Sequence, residues 1–367
     1  MSDSWAHTSY PQQVHFGSGA LDRTAQVLKD TGPRAWMLVT SPGRFGSDDG
    51  RRLVRVLGRA VASTFAEVTA PLHTDTVEAA VRQARRDAVE GIVSFGGSAC
   101  ADVAKAVCFF AEHEAGTPGV SHADRPVVPH VAVPTTYAPC FLLPGFAMTD
   151  PQTRRTREAV GPTLAPVAAV CDPDVVVSEP ARAASTGIVV IATAVEAATA
   201  ERATPEARAL AVAAAERAAA VLPYLAADPT EPGPRADLLT ATVLAARARQ
   251  NAEAGLHHVL SVLLAGRCGI PYAPVAAALL SHVMRFNADA SPGWHRLGAA
   301  VGDAEDPAGA VARLVQRVGL PSTLTECGAD PLELDAVAAL AAADPAMLTN
   351  PRPAGEADAR AILEGAA

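Results

Sequence analysis

The stretch "GLHHVLSVLLAGRCGIPY", Gly255 to Tyr272, carries side chains that could move a proton. His257 and His258 lie near its start and Tyr272 ends it. An imidazole with an unperturbed pKa of about 6.5 suits general acid or base catalysis near neutral pH, and a phenol can donate to a substrate oxygen. The alternative is structural, with core histidines bonded to backbone and an aromatic ring that fills space. The stretch therefore predicts either an acid–base set or a polar piece of core.

A second stretch, "VSFGGSACADVAK" from Val93 to Lys105, reads as a strand, a Gly-Gly turn and the start of a helix. Backbone N–H groups at a helix N-terminus, approached closely because glycine lacks Cβ, form an anion site suited to a pyrophosphate. Gly96, Gly97 and Ser98 are the candidate phosphate contacts. The alternative is an ordinary tight turn between strand and helix.

The composition favours a large globular enzyme over other classes. The chain has 367 residues, of which 49% are hydrophobic and 19% charged, so it can bury a sizeable core. The net charge of −9 and the lack of a dense basic cluster argue against nucleic acid. We find neither an uninterrupted apolar run of about 18 residues for a membrane span nor a signal peptide. Six scattered cysteines without a CxxC pair favour reduced thiols in the cytoplasm.

Strand-like and helix-like segments alternate in the first half, which predicts parallel βαβ units. The expected strands are "AWMLVTS", "TFAEVTA", "GIVSFGG" and "HVAVPTTY". The expected helices are "DDGRRLVRVLGRAVA", "TVEAAVRQARRDAV" and "ADVAKAVCFFAEH". The polar stretch from Glu114 to Pro126 is expected to be an exposed loop.

From about Ser178 the chain becomes Ala-rich with helical periodicity and shows no strand pattern. The expected helical segments are Ala181–Leu225, Arg235–Ala265 and Pro274–Asn287, with Pro274 suited to a first helical position. We therefore expect an α/β domain over 1–177 and an all-helical domain over 178–367, packed closely through alanine.

Several stretches together, in one order, resemble the iron-containing alcohol dehydrogenase family and most closely its maleylacetate reductase branch. They are "HFGSGAL", "FGGSACADVAKA", "VPTTYAPC", "DPDVVVSEPARAASTG", "GLHHVL", "LLSHVMRFN" and "NPRP". The resemblance implies a Rossmann-like dinucleotide-binding domain followed by an all-α domain, with the active-site cleft between them. It also implies NAD(P) as cofactor.

The cofactor positions depart in part from the family pattern, which usually reads Gly-Gly-Gly-Ser at the turn. Ser98 and Ala99 replace its last two residues, and the side chain of Ser98 narrows the approach of a phosphate. After "PTTYA" the branch usually has Gly-Ser-Glu, where this chain has Pro139, Cys140 and Phe141. The expected cofactor-binding residues are Ser41, Gly96, Gly97, Ser98, Asp102, Thr135, Thr136 and Tyr137. Of the family pattern, Gly96, Gly97, Asp102, Lys105, Thr135 and Thr136 are retained.

The metal positions depart much further. In metal-dependent members one Asp and three His hold the ion, and a further His is linked to proton transfer. The resemblance places Val189 at the Asp and Thr193 at the first His. His258 matches the third ligand, Tyr272 replaces the fourth, and Val262 replaces the further His. Because a divalent metal needs several converging N, O or S donors, we expect no bound metal.

These positions give the candidate roles. His258, Tyr272, Thr193 and His257 are the catalytic candidates, although a helical Thr often bonds its own i−4 carbonyl. Phe141, Val189 and Val262 are expected to line an apolar substrate pocket. Cys140 is either a nucleophile or an inert buried thiol, and His282 is read as structural. One of Arg154, Arg155 and Arg157 is expected near the cofactor ribose.

Three functions remain open from the sequence. The first is a metal-independent NAD(P)H-dependent reductase of an activated ketone or enoate, in a biosynthetic or catabolic pathway. The second is a redox-neutral dehydratase, isomerase or cyclase on the same scaffold, and the third is a non-catalytic binding protein. We expect a cytoplasmic homodimer that acts on a small molecule and binds neither nucleic acid nor membrane. The segment "VTSPG" after the first clear strand has no acidic residue for a ribose hydroxyl, and Arg44 is the only nearby candidate for a 2′-phosphate. The sequence therefore does not distinguish NAD from NADP.

Overall fold

The computed structural model describes residues 5–117, 126–176, 179–291 and 293–367. The chain forms two compact units, which we call the α/β unit and the helical unit. The α/β unit comprises Ser9–Thr153 and Arg157–Val177. The helical unit comprises Ser178–Ala367, Arg154–Thr156 and the described part of Met1–Thr8. The junction at 177/178 and most of the expected loop at 114–126 lie outside the described residues.

The described residues form eight strands, all in the α/β unit except for the first two residues of β7, which belong to the helical unit. They are β1 (Gln13–Phe16), β2 (Trp36–Thr40), β3 (Val61–Phe65), β4 (Gly91–Gly96), β5 (His130–Pro134), β6 (Gly145–Asp150), β7 (Arg155–Val160) and β8 (Ala168–Cys171). Six of them form one parallel sheet in the order β1-β8-β5-β4-β2-β3, and β6 pairs with β7 in a separate sheet. The predicted α/β fold class is confirmed.

The central strands form because their residues are mostly apolar, with Thr40, Ser94 and His130 as polar exceptions. Every residue of β2, β4 and β5 is buried, as expected for parallel strands covered by helices on both faces. At the register point where Thr40 pairs with Phe95, the Thr40 hydroxyl also donates to the Phe95 carbonyl at 2.7 Å. The carboxyl ends of β2 and β4 are therefore held side by side.

The sequence located some strands inexactly. We expected a strand over residues 64–70, but β3 runs from Val61 to Phe65. Its pairing with β2 extends only from Val61 to Phe65. Strands β1, β6, β7 and β8 were not predicted. β7 is mostly exposed and charged, and β1 and β8 are only four residues long, so neither gives a strong periodic signal.

The helices of the described chain are the following. In the α/β unit they are α1 (Thr24–Thr31), α2 (Pro42–Phe45), α3 (Asp48–Leu57), α4 (Thr74–Arg86) and α5 (Ser98–Glu114). In the helical unit they are α6 (Pro180–Thr199), α7 (Pro205–Ala227), α8 (Pro232–Arg249), α9 (Leu256–Cys268), α10 (Tyr272–Asn287), α11 (Trp294–Val301), α12 (Pro307–Arg317), α13 (Leu334–Ala342) and α14 (Glu356–Ala366).

Close packing through small residues holds the helical unit together. Gly187 of α6 faces Leu222 of α7 and Leu238 of α8, and a Cβ at this position would lie 3.0 Å from Leu238 Cδ2. The contact faces are otherwise rich in buried alanine. Short side chains let the helix axes approach, which agrees with the expected alanine-mediated packing.

The expected long helical segments are divided in the structure. Ala181–Leu225 is split between α6 and α7, and Arg235–Ala265 between α8 and α9. Proline begins both α7 and α8, and proline at a first helical position costs no hydrogen bond. The last expected helix begins at Tyr272 rather than Pro274, so Tyr272 opens α10 instead of closing the preceding loop.

Among the residues that the structure describes, two helices are long and apolar enough to cross a membrane by length and composition alone, Pro180–Thr199 and Pro205–Ala227. Both contain charged residues, which is why the sequence shows no uninterrupted apolar run. The apolar window of the first helix is 67% buried within the protein, as in a core helix, and that of the second is 33% buried. Such a match is weak evidence for a membrane span, because core helices share these properties.

Candidate active site

The glycine turn joins β4 to α5 with no room for larger side chains. Gly96 ends β4 and Gly97 is the N-cap of α5. A Cβ on Gly96 would lie 2.9 Å from Cys100 Cβ, and one on Gly97 would lie 3.1 Å from Thr136 Cγ2. The turn therefore needs glycine at position 96, and a Cβ at position 97 would require Thr136 to shift. The turn presents the start of a 17-residue helix, whose first N–H groups lack intrahelical partners.

The "PTTY" segment lies beside this turn. The Thr135 backbone N–H donates to the Gly96 carbonyl at 2.9 Å, and Thr136 contacts Gly97. The Thr135 side chain is fully buried, and its hydroxyl has no hydrogen-bond partner among the described residues. An unsatisfied buried hydroxyl costs about 1–3 kcal/mol, so a polar partner for this group would stabilise the segment. Tyr137 is fully buried as well.

Ser41 also lies near the first turn of α5. It is the N-cap of α2, and its hydroxyl accepts from the Arg44 N–H at 3.4 Å. The Cys100 thiol hydrogen-bonds the Ser41 backbone, and Arg44 is close enough to act on it electrostatically. Burial nevertheless raises the pKa of Cys100 to about 12, so this thiol stays neutral. Ser41, Gly96 and Gly97 are thus brought together.

Lys105 and Asp102 fix the loop that follows "PTTYA". Lys105 is fully buried, and its Nζ donates to the carbonyls of Cys140 at 2.6 Å and Gly145 at 2.8 Å. Asp102 Oδ1 lies 3.6 Å from the same Nζ. Because a buried ammonium is tolerated only with such partners, Asp102 supports the loop through Lys105. The residue was predicted as a cofactor contact, and this ion pair is the interaction the structure shows.

The residues that depart from the family pattern contact one another. Pro139 is at the first position of a 3₁₀ turn, Pro139–Leu142, where no N–H is needed. The Ser98 hydroxyl hydrogen-bonds the Cys140 thiol, whose pKa burial raises to about 11. A neutral thiol is a poor nucleophile, which favours the inert alternative for Cys140. Phe141 is 3% exposed. The substituted turn and loop are therefore accommodated.

Of the three arginines expected near the cofactor ribose, Arg154 is engaged elsewhere. Its Nη1 lies 3.0 Å from Glu333 Oε1, and Arg267 Nε donates to Glu333 Oε2 at 2.6 Å. Arg155 and Arg157 are exposed. Which of the three arginines approaches the ribose stays a prediction.

The metal positions of the helical unit provide a donor set unsuited to iron. Val189 is an apolar, buried residue of α6, and the Thr193 hydroxyl donates to the Val189 carbonyl at 2.8 Å. Of the four positions, only His258 has a nitrogen donor and Tyr272 a phenol. Among the residues the structure describes, no three His, Cys, Asp or Glu side chains group together as metal ligands. These side chains do not fit the metal that the family pattern implies.

His258 and Tyr272 form a pair where α9 and α10 begin. The Tyr272 Oη lies 3.4 Å from His258 Nδ1, and the two ring centroids are 6.2 Å apart. Both side chains are partly exposed. Val262, one turn after His258 on α9, is also partly exposed. This arrangement can exchange a proton between an imidazole and a phenol that a substrate can reach.

The neighbouring His257 has a different environment. It is 1% exposed, and its Nε2 lies 2.8 Å from the Ala276 carbonyl oxygen. Burial lowers the pKa of His257, which favours the neutral ring. Its ring thus links α9 to α10, and the interactions shown are those of the structural alternative. His282 is half-buried, and burial lowers its pKa too.

Sequence reasoning missed the residues that hold the start of α9. Glu196 Oε1 accepts hydrogen bonds from the backbone N–H groups of Gly255 and His258, both at 3.1 Å. Asn350, from "NPRP", exchanges amide hydrogen bonds with Asn287 at 2.8 and 3.0 Å. A signal for Glu196 existed, because it lies seven residues after Val189 and three after Thr193, on the same face of α6.

Comparison with known proteins agrees with this picture. Residues 11–173 match the family described as iron-containing alcohol dehydrogenase, and residues 183–367 match the C-terminal domain of the Fe-containing alcohol dehydrogenase family. The chain is 31% identical to maleylacetate reductase of Sphingobium indicum, over 94% of this chain and 92% of that protein. It is 28% identical to 4-hydroxybutyrate dehydrogenase of Cupriavidus necator, over 97% and 98% of the two chains.

Solved structures give the same result. The crystal structure of maleylacetate reductase from Agrobacterium tumefaciens is 25% identical and has a TM-score of 0.85, with 99% of this chain and 98% of that chain covered. The chain therefore belongs to the iron-containing alcohol dehydrogenase family. It is an oxidoreductase-type enzyme of the maleylacetate reductase-like branch, as the resemblance predicted.

Proposed function

We propose that this enzyme is a metal-independent, NAD(P)H-dependent reductase of an activated ketone or enoate with a rather apolar body. One observation carries the proposal. His258 and Tyr272 form a 3.4 Å pair, whereas Val189 and Thr193 occupy positions where metal donors are expected. A reductase acting on an activated acceptor needs less Lewis-acid assistance than an alcohol oxidation does.

The α/β unit supports NAD(P) as the cofactor. Gly96 and Gly97 leave the N-terminus of α5 open to a pyrophosphate. The buried Thr135 hydroxyl beside them is a second polar group that a bound dinucleotide can satisfy. When bound, the reduced nicotinamide supplies a hydride. Arg44, near the first turn of α5, offers a positive charge to a cofactor 2′-phosphate, so NADH and NADPH must both be tested.

The protein's own groups complete the reduction by handling the proton. Tyr272 Oη is placed to donate a proton or hydrogen bond to the substrate oxygen that gains negative charge. His258 Nδ1, 3.4 Å away, can accept from or donate to that phenol, depending on its tautomer. Thr193 is predicted to contact substrate, although its hydroxyl is bonded to its own helix.

Three apolar replacements at positions of the family pattern favour a neutral substrate. Val189 and Val262 are apolar, and Phe141 replaces the carboxylate that the family pattern usually has. Maleylacetate, the compound in the names of several relatives, carries two carboxylates that these side chains cannot neutralise. We therefore expect a larger and less charged carbonyl compound.

The test is an assay for consumption of NADH and NADPH with panels of activated ketones and enoates, on protein purified with and without chelator. The proposal predicts turnover that uses one equivalent of reduced cofactor and is unchanged by chelator. Turnover that consumes no nicotinamide would favour the redox-neutral alternative, and loss of activity with chelator would contradict metal independence. Absence of turnover with every compound of the panel, together with no dinucleotide binding, would favour a binding protein.

We also expect a cytoplasmic homodimer, as family members are often dimers or larger. Light scattering on the purified protein tests the dimer, and cell fractionation tests the compartment.

A further inference from the structure

We infer that Glu196 is a positioning residue for His258, because it supplies from α6 the N-terminal cap that α9 cannot make for itself. The inference rests on the proposed role of His258. Glu196 contacts the backbone of His258 rather than its ring, so it acts through that residue and is not a catalytic group.

The cap is an unusual version of a common arrangement. In a capping box, the N-cap side chain bonds the N3 backbone N–H, and the N3 side chain bonds the N-cap backbone N–H. The N-cap of α9 is Gly255, which has no side chain, and its N3 residue is His258. Glu196 Oε1 accepts from both of these N–H groups at 3.1 Å. One carboxylate oxygen from another helix therefore performs both functions.

This cap does not use the His258 side chain. An N3 side chain that took part in a capping box would turn back toward the N-cap. The His258 ring instead reaches Tyr272, 3.4 Å away. The Glu196 charge also lies at the positive end of the α9 dipole, where an anion stabilises the helix.

The glycine at the N-cap follows from the same geometry. A Cβ at Gly255 would lie 3.0 Å from Glu196 Oε1 and 3.3 Å from Asn350 Oδ1. Asn350 Oδ1 also accepts from the Leu256 N–H at 3.4 Å. Glu196 and Asn350, which are distant in sequence, thus accept hydrogen bonds from the backbone N–H groups of Gly255, Leu256 and His258 at the start of α9.

Glu196 is not arranged as a ligand contact. The cavity it lines with Gly255, Asn287 and Asn350 has a volume of about 10 Å³, close to the space for a single water. A substrate cannot enter there, so the function of the carboxylate is to hold α9.

The test compares three substitutions in the full-length protein. Glu196→Gln keeps an Oε1 acceptor at the same distance from the backbone but removes the charge. Glu196→Asp keeps the charge on a side chain that is one methylene shorter. Glu196→Ala removes both the acceptor and the charge. We expect kcat to fall roughly 10–100-fold in the Asp and Ala variants, since small misplacements of catalytic groups have effects of this size. Glu196→Gln is expected to stay within about threefold of wild type, with the Kd for reduced cofactor unchanged in all three.

The matched control is Asp306→Ala, which removes another helix cap of the same unit. Asp306 is the N-cap of α12 and accepts the Gly309 N–H at 2.8 Å. We expect a lower Tm and an unchanged kcat. If Glu196→Ala does not fold, the Gln and Asp pair still separates acceptor reach from charge.

Two further readouts distinguish positioning from general stability. The loss from Glu196→Asp should shrink in a Tyr272→Phe background, because both changes disturb the same pair. The NMR signals of the His258 ring should change in Glu196→Asp and persist in Glu196→Gln, and this holds whether or not a substrate is known. Wild-type His258 ring signals together with a wild-type kcat in Glu196→Asp would overturn the inference. So would a double variant in which the kcat losses of Glu196→Asp and Tyr272→Phe simply multiply. Absence of any nicotinamide-dependent turnover would instead overturn the proposed function.

Discussion

The glycine turn of the α/β unit and the metal positions of the helical unit have diverged from the family pattern in different ways. At the turn, the replacements are accommodated by neighbours: Ser98 bonds Cys140, whose carbonyl accepts from Lys105. At the metal positions, Val189 and Thr193 supply no equivalent donors. We expect the chemically mild changes at the turn to leave an anion site built from backbone intact, and the replaced ligands at the metal positions to abolish metal binding.

The number of substituted positions is therefore a poor guide to whether a binding site is retained. A backbone site depends on helix direction and glycine, which the turn retains. A metal site depends on the identity of each ligand. Substitutions at the glycine turn and at the metal positions should therefore have separate effects.

The largest expected effect comes from restoring the metal donors. Val189→Asp, Thr193→His and Tyr272→His, combined with the native His258, would offer one carboxylate and three imidazoles. We expect zinc affinity to rise by at least about a thousandfold, because structural zinc binding is worth many kcal/mol once the ligand set is complete. Calorimetry and metal analysis measure it.

The same triple variant with His258→Ala is the control, and it should bind zinc more weakly. Stoichiometric metal in the wild type, or no increase in zinc affinity in the triple variant, would contradict the proposed difference between the two regions.

Removal of His258 should have the next largest effect. We expect His258→Ala to lower kcat roughly 10²–10⁴-fold, the usual contribution of a general acid or base. The Kd for reduced cofactor should not change, because the glycine turn belongs to the α/β unit. His282→Asn, at the histidine read as structural, is the control, and a similar loss there would remove the special role of His258.

A matched pair of glycine substitutions sharpens the comparison directly. Gly97→Ala places a Cβ 3.1 Å from Thr136 Cγ2, and Gly255→Ala places one 3.0 Å from Glu196 Oε1. We expect the first to raise the cofactor Kd about tenfold, or 1.4 kcal/mol, and the second to lower kcat. Fluorescence titration and steady-state kinetics separate the two. Identical effects would mean that the regions do not have separate functions.

The smallest effect concerns stability in acid. Burial lowers the pKa of His130 in β5 from 6.5 to about 3. Below pH 6.5 the unfolded chain takes up a proton that the folded chain refuses until about pH 3, so stability falls as pH drops through this window. His130 alone should cost about 2 kcal/mol between about pH 7 and pH 5.

Urea unfolding of wild type and His130→Gln at both pH values measures this contribution. The variant should lose less stability in acid, and an equal loss would show that His130 is protonated in the folded state.

Much of this architecture could be predicted from local patterns. Buried strands such as β2 and β4 are continuous apolar runs, and the Gly96–Gly97 turn combines a strand end with a helix start. The His258–Tyr272 pair was within reach because both residues stood at positions the family assigns to ligands. The roles of Glu196, Asn287 and Asn350 were not, since hydrogen bonds across 62 or 63 residues leave no local period. The different surroundings of His257 and His258 likewise depend on packing against α10.

The central claim is that the enzyme keeps its dinucleotide site without a metal. The most direct test is titration of one purified sample, prepared without chelator, with NADH and with NADPH by fluorescence or calorimetry, together with assay of its zinc and iron. The account predicts micromolar binding of at least one reduced cofactor and far less than one equivalent of metal. Failure to bind either cofactor at millimolar concentration, or a full equivalent of zinc or iron, would contradict it.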